Sequence, residues 1–524
     1  MPVRGHTTAD DTRTDRVLAL LVALGAFAFY VAVQRGEMVS LDGKNMAAVA
    51  RNLWQHGSLE IYRDAFGAYP HWRVQFPYSM RGIGMSLVLA PLWALQLHVH
   101  GDRTNAVWLT LANPVLLAAT AAIIVRIGTA LGWRRANAVA AALAFALLTM
   151  APQYSTELFA EPGVTFATAL ALLGCLRWEE GRIRGPWFVG TAIGVALLFR
   201  SDSLVLVGVV LVAVPLFVAP DRLVATARSW IPALAVPIGA SAAVVAWYDD
   251  LRYGSPFSNS YVAGVGFTNP MGSGLRRLLL SPGKGFFWYD PILLAAIPGL
   301  WWLWRRHRPL AATVIGLAAL RVVVYAHWQF PDGSVAWGPR FLLPLCALLA
   351  IGLGETLEHI SSWAVPSRTV ARVVLTALVA ASAVVVLASL WVGYDQIARE
   401  IGNVPAGTPP AAVEHIRLQH AHDYYDSIRG SNITRSLAEL DRASPFPLRH
   451  FDGGASPLGV GALALFALST IGAFVLARRR DRAVSGAARH APDVAIDLDD
   501  ETPTGYETSQ TGAAPMSSLR SPGP

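Results

Sequence analysis

Val17-Leu18-Ala19-Leu20-Leu21-Val22-Ala23-Leu24-Gly25-Ala26-Phe27-Ala28-Phe29-Tyr30-Val31-Ala32-Val33 is a stretch without a single charge. A helix of about 20 apolar residues crosses the hydrocarbon core of a bilayer, so this run reads as a first membrane span. Arg4, Arg13 and Arg16 precede it. No small-residue cleavage site follows, so the run reads as an anchor that is kept.

The rest of the chain repeats this signal. Hydrophobic residues make up 54% and charged residues 15%, against roughly 25% charged in soluble domains. Further apolar segments lie near 82–98, 106–127, 137–151, 163–176, 187–199, 203–219, 231–247, 286–304, 309–326, 341–354, 371–392 and 457–477. The expected fold is therefore an all-α polytopic membrane protein of about 12–13 transmembrane helices. The net charge of +7 rests on arginine, with Lys44 and Lys284 as the two lysines. The basic residues gather at the ends of apolar segments, which is a topology signal and not a nucleic-acid footprint. Cys175 and Cys346 lie inside apolar runs and suggest neither a disulfide framework nor a metal site.

Loop arginines orient the bundle. The basic loops are Arg134/Arg135, Arg182/Arg184, Arg222/Arg228, Arg305/Arg306 with Arg308, Arg368/Arg372 and Arg478–Arg480. If all face the cytoplasm, the outer loops are 35–80, 152–162, 200–202, 248–285, 327–340 and 393–456. Two crossings between residues 80 and 127 would put Arg134 outside, so one of 82–98 and 106–127 does not cross. The first is chosen, because it opens on Arg81-Gly82-Ile83-Gly84 and contains Pro91. The organisation expected is a cytoplasmic tail at 1–16, a transmembrane module at 17–355, further transmembrane helices at 356–477 with an outer segment at 393–456, and a disordered cytoplasmic tail at 478–524. This makes the chain a multi-pass plasma (inner) membrane protein.

The chemistry-bearing residues gather in the outer loops. Ser40 or Asp42 can cap a helix starting near Gly43, with Met46, Val49, Ala50 and Leu53 on one face and Gly57 as its stop. Such a helix would lie on the membrane surface. Asp42 is either that cap or a carboxylate able to take a proton from a hydroxyl. Glu161 opens a span just after an outer loop, followed by Pro162. Acids at membrane depth usually face a cavity, whereas an acid before Pro at a helix N-terminus is also favourable in itself. Glu157 and Glu161 are four apart and could share a helical face. Arg200-Ser201-Asp202 occupies a tight outer turn. Lys284 stands in Ser281-Pro282-Gly283-Lys284-Gly285-Phe286, and His327 and Arg340 bound the loop that ends Trp337-Gly338-Pro339-Arg340. Cations on the outer side oppose the positive-inside tendency, and a lipid-linked phosphate is one ligand that accounts for them. No nucleotide-binding glycine loop, zinc pattern or outer Asp-x-Asp is present, so no metal or cofactor is demanded.

Asp42 in the first outer loop, Glu161 after a tight outer turn, Arg200 at a hairpin tip, and the segments 281–286 and 337–344 together resemble the GT-C superfamily of membrane glycosyltransferases. The resemblance covers roughly 17–355. It is nearest to the protein O-mannosyltransferases, the lipid A aminoarabinose transferases and the related family 39, RgtA-like group. It implies inverting transfer of a hexosyl or pentosyl group from a polyprenyl-phosphate sugar to an acceptor hydroxyl at the outer face. Asp42 would be the general base, and Glu161 would hold the acceptor or tune Asp42. Lys44, Arg200, Lys284, His327 and Arg340 are the candidates for the donor phosphate. The partners implied are the lipid-linked donor, membrane lipids and a polysaccharide, glycolipid or protein acceptor, without nucleic acid. This chain has Asp42-Gly43-Lys44 where some relatives carry an Asp-Glu pair, and Pro77-Tyr78-Ser79-Met80-Arg81 only loosely matches a Lys-Pro-Pro motif. The competing readings are a transporter or flippase of a lipid-linked or small polar substrate, which would show broken helices with mid-membrane polar groups, and a scaffold for envelope assembly.

Overall fold

In the computed structural model, the described residues are 9–34, 36, 38, 40–61, 78–100, 107–258, 266–329, 331, 333, 336–391, 426–438 and 457–490. Most of the expected outer segment 393–456 and of the tail 478–524 lies outside them. Apart from an isolated antiparallel bridge between Glu60 and Tyr78, regular structure among these residues is helical. The principal helices are α1 (Ala9–Ala32), α2 (Leu41–His56), α3 (Ile83–His100), α4 (Ala112–Ala130), α5 (Arg135–Leu148), α6 (Glu161–Glu179) and α7 (Gly185–Phe199). They continue with α8 (Leu204–Phe217), α9 (Ala227–Tyr253), α10 (Ala296–Arg306), α11 (Arg308–His327), α12 (Leu343–Ile360), α13 (Val365–Trp391) and α14 (Pro457–His490). Met1–Asp481 forms one compact unit, and Arg482–Pro524 a second, of which only the end of α14 is described.

Among the described residues, seven helical segments are long and apolar enough to cross a membrane, including Asp11–Ala32, Trp108–Ala130 and Arg340–Ile360. Shorter apolar helices, including Ile83–Val99 and Gly185–Phe199, fill the space between them. The protein is a multi-pass all-α membrane protein. In lipid there is little hydrophobic force between helices, so close backbone packing must hold them. α12 is the central helix, buried along most of its length. It meets α10 at Gly299, where an added Cβ would stand 1.8 Å from the Gly352 carbonyl oxygen. The position therefore excludes any side chain.

Polar contacts define the two ends of the bundle. At one end, Asn113 donates to the carbonyls of Glu157 (2.6 Å) and Phe159 (3.2 Å), and Gln34 donates to Ser155. At the other, Arg135 pairs with Asp11 (2.7 Å) and Asp15 (2.8 Å). The Asp481 carboxylate accepts the N–H groups of Arg135 and Ala136 at 3.0 and 3.1 Å, capping the first turn of α5 from a distant part of the chain. α1 and α4 thus each run the length of the bundle, and residues 34 and 113 share an end. The chain therefore leaves α1 and enters α4 at the same end of the bundle. α3 instead packs on α2 and α7.

The amphipathic helix expected after the first span is present as α2, closed by Gly57 in the left-handed region (φ 64°). Its apolar face does not lie on the membrane surface. Met46, Val49 and Ala50 are buried against protein, chiefly α3 and its surroundings. The expected shared face of Glu157 and Glu161 is also corrected: a short helix, Ala151–Thr156, ends just before Glu157, and α6 begins at Glu161. Reporter fusions test the topology. A reporter at Gly132 is expected on the same side as one at the N-terminus, and a reporter after Gly57 on the opposite side. A Gly132 reporter on the Gly57 side would make α3 a crossing helix.

Candidate active site

Ser40 and not Asp42 caps α2. The Ser40 Oγ accepts the Gly43 N–H at 3.0 Å and donates to the Leu158 carbonyl at 3.1 Å. Asp42, one residue inside the helix, is thereby left free to face the bundle. Gly43 makes the approach possible, since a Cβ there would come within 2.8 Å of the Leu158 carbonyl oxygen. A second close approach sets Arg81. A Cβ on Gly82 or Gly84 would strike the backbone of Leu198 or Phe199, so the start of α3 lies directly on the end of α7, which carries Arg200.

These contacts produce a chain of alternating charge. Arg81 Nη2 lies 2.5 Å from Asp42 Oδ1, and Arg340 Nη1 lies 3.0 Å from Asp42 Oδ2. Arg340 Nε is 3.9 Å from Glu161 Oε1, which accepts from Arg200 Nη1 at 2.9 Å. Arg200 Nε continues to Asp202 at 3.0 Å, and its Nη2 to the Tyr325 hydroxyl at 3.3 Å. Aromatic rings flank the series: Arg340 stands over Phe159 (4.8 Å) and Phe341 (5.0 Å), and Arg200 over Phe341 (4.7 Å). Asp42 is 9% exposed and Glu161 1%, so each carboxylate is removed from water and compensated by guanidinium. Burial raises the Asp42 pKa, but Arg81, Arg340 and Arg200 together outweigh it and hold the carboxyl below its ordinary 3.8. With the folded value depressed, its contribution to stability is complete above that ordinary value and is lost as pH falls through the lowered one.

Between these groups is a cavity of about 20 Å³, lined by Asp42, Met46, Arg81, Glu161, Arg200 and Arg252 among others. That volume holds little more than a water molecule.

No protein-family model matches the sequence, and no curated protein matches it significantly. Two solved structures share its architecture. ArnT from Cupriavidus metallidurans bound to undecaprenyl phosphate is 16% identical, with TM-score 0.50, covering 90% of this chain and 78% of that one. ArnT in the apo state is 17% identical, with the same TM-score and coverage. This chain shares with them a polytopic all-α fold.

Within this bundle the expected site residues divide. Asp42, Glu161, Arg200 and Arg340 come together. Lys44 and His327 do not line the cavity: Lys44 is half-buried on α2, and His327 is exposed, its Nδ1 2.8 Å from the Asn269 carbonyl and its ring stacked on Phe267. Lys284 requires a correction. It is fully buried, and its ammonium donates to the carbonyls of Ala336 and, at 3.1 Å, Gly338. A lysine so enclosed is a clamp on the loop before Arg340, and not a group presented to a phosphate.

That loop is held on every side. Asn432 also donates to Ala336 O (3.0 Å), Tyr154 to Trp337 O (2.6 Å) and Arg321 to Phe341 O (2.6 Å). Gly338 adopts φ 59° against Tyr289 and Met150, a conformation suited to glycine. Arg81 is held in the same manner. Arg252 Nη1 donates to the carbonyls of Ser79 (2.9 Å) and Arg81 (3.1 Å), while its other face pairs with Asp249. Arg81, Arg252 and Asp202 are the site residues missed in the sequence. The signal for Arg81 was the Gly82-x-Gly84 pair, which marks a close backbone approach.

Lys284→Met tests the clamp. It leaves Gly338 O without its charged donor inside the protein, so the thermal midpoint in detergent is expected to fall by the equivalent of about 1–3 kcal/mol. An unchanged midpoint, with loss of undecaprenyl phosphate binding alone, would return Lys284 to the role of phosphate ligand.

Proposed function

We propose that this protein is a membrane glycosyltransferase that moves a sugar from a polyprenyl-phosphate donor to an acceptor hydroxyl at the outer face of the membrane. The observation that carries the reading is the buried Arg81–Asp42–Arg340–Glu161–Arg200 series beside a cavity at one end of a GT-C bundle. A carboxylate that can accept a proton and three guanidiniums that can hold a phosphate are the two parts such a transfer needs. The structural neighbour bound to undecaprenyl phosphate supports a donor of that class. The arginines in the loops at the opposite end support a cytoplasmic side there, and with it a site on the outer face.

In this reading the acceptor oxygen attacks the anomeric carbon from the face opposite the phosphate, and the configuration inverts. Its proton passes to Asp42. The bond between the anomeric carbon and the phosphate oxygen breaks, and polyprenyl phosphate leaves carrying the electron pair. Arg81, Arg340 and Arg200 stabilise that growing charge. Glu161 fixes Arg200 and stands beside Arg340, keeping both aimed at the leaving group. While Arg81 and Arg340 face Asp42 it is a weak base. As they turn to the phosphate, its affinity for a proton rises at the step that needs it.

The test compares wild type with Asp42→Asn at matched thermal midpoint. Release of polyprenyl phosphate is followed from a panel of polyprenyl-phosphate sugars, with membrane extract as acceptor. Wild type is expected to release it, and the variant to lose about 10²–10⁴-fold in rate while still binding undecaprenyl phosphate. Equal release by both proteins would remove Asp42 from the role of base. Transbilayer movement of the donor without any release by wild type would identify a flippase.

A further inference from the structure

The end of the bundle opposite the active site carries a second concentration of charge and aromatic surface. α12 connects the two. Arg340 stands just before its first turn and His359 in its last, roughly 28 Å apart at 1.5 Å per residue. α10 ends at the same level with Trp301-Trp302-Leu303-Trp304-Arg305-Arg306.

An open cavity of about 630 Å³ lies here, lined by Trp302, Arg305, Arg306 and His359, with no carboxylate in its lining. Trp302 and His359 form one wall, their rings 4.6 Å apart and within 8° of parallel. The edge of Trp363 supports Trp302 from the side. Arg306 is fixed from behind: Nη1 donates to Glu355 Oε1 (3.3 Å) and Nη2 to the Leu131 carbonyl (2.6 Å). Glu355 is itself fully buried and anchored by the Trp133 indole at 2.6 Å. Arg305 lies over the Trp301 ring at 4.5 Å and makes no ion pair among the described residues. Trp301 and Trp304, 56% and 41% exposed, continue the surface outward from the cavity.

Cations in the last turn of a helix complement its dipole, which accounts for arginine at the end of α10. It does not account for the shared cavity. Arg306 and His359 both reach the buried Glu355 behind it, at 3.3 and 3.8 Å, whereas Arg305 has no ion pair among the described residues. The lining itself holds an aromatic wall and no carboxylate. Tryptophans at such a level mark the boundary between hydrocarbon and headgroups, so a ligand reaching this cavity comes from the bilayer. We propose that this cavity binds the phosphate headgroup of an anionic bilayer phospholipid. Arg305 and Arg306 donate to the phosphate oxygens, and the Trp302–His359 wall packs against the glycerol backbone. The site is separate from the donor site, and the proposal stands whether or not the protein transfers sugars.

The experiment uses the full-length protein in detergent micelles, titrated by native mass spectrometry. The probes are phosphatidylglycerol and phosphatidylcholine of matched chains, and inorganic phosphate as competitor. Arg305→Gln removes the cation that lacks an ion pair. Arg308→Gln, two residues beyond Arg306 and outside the lining, is the control for general positive charge. One phosphatidylglycerol per chain is expected to bind about tenfold more tightly than phosphatidylcholine, whose trimethylammonium is repelled by the guanidiniums that hold the phosphate common to both lipids. Arg305→Gln should abolish the preference at unchanged thermal midpoint, and Arg308→Gln should keep it. An undiminished preference in Arg305→Gln, or equal loss in both variants, would overturn the site. Displacement of the lipid by millimolar phosphate would show a free-anion site instead.

Discussion

Two carboxylates can be withdrawn from water at the end of this bundle only because guanidinium groups stand between and beside them. Asp42 and Glu161 share Arg340 as a common neighbour, and Arg81 and Arg200 close the series on either side. Breaking a buried pair by removing one member leaves a stranded charge, at a cost of about 3–5 kcal/mol. The arginines must therefore be held where they are, and the structure holds them by their backbones. Arg252 fixes the carbonyls on and before Arg81, and Lys284 fixes those before Arg340. In both cases a cation bonded to main-chain oxygen fixes the segment that carries another cation to the carboxylates. Lys284 thus supports the site without lining its cavity.

The same rule governs the far end. Glu355 is fully buried because Trp133 and Arg306 satisfy its two oxygens. Trp133 reaches it through room left by Gly128 and Gly354, where a Cβ would meet the indole within 2.4 and 2.1 Å. α12 carries both centres, with Arg340 before its first turn and Glu355 near its last. Its rigidity follows from close packing along its length, most visibly where Gly299 meets the Gly352 carbonyl. A single well-packed helix therefore ties the geometry of the candidate site to the polar anchor opposite.

Much of the bundle was legible as apolar runs. The segments read at 17–34, 309–326 and 371–392 correspond to α1, α11 and α13 within a few residues, apart from the earlier starts of α1 and α13. Charge placement, and not hydropathy, gave the expectation that one of 82–98 and 106–127 does not cross, and Arg81-Gly82-Ile83-Gly84 with Pro91 chose the first. Asp42, Glu161, Arg200 and Arg340 were legible because acids and cations at an outer boundary need a reason to be there. The choice between cap and base at Asp42 was not legible. Ser40 and Asp42 are both good caps, and only the path of the chain past Leu158 decides between them. The role of Lys284 was hidden for a different reason. Its partners are carbonyls of residues 336 and 338, and main-chain oxygens leave no mark in a pattern of side chains. Arg252 was hidden likewise, since its partners are the carbonyls of Ser79 and Arg81.

The resting site is nearly neutral within itself, and this shapes how a donor can enter. Asp42, Glu161 and Asp202 oppose Arg81, Arg200 and Arg340, and the cavity among them has the volume of about one water molecule. A phosphate cannot simply add to this arrangement. It must exchange for a carboxylate, taking guanidinium contacts that Asp42 now holds. Arg81 is the member placed to move, with its side chain 36% exposed while those of Arg200 and Arg340 are 7% and 9% exposed. In the proposed reaction such an exchange couples the two substrates. The donor's arrival strips Asp42 of the charges that depress its proton affinity, and so prepares the base before an acceptor hydroxyl is presented to it. In that proposed reaction the ion pairs that compensate the buried carboxylates are the same ones that keep Asp42 a weak base until a phosphate takes their place.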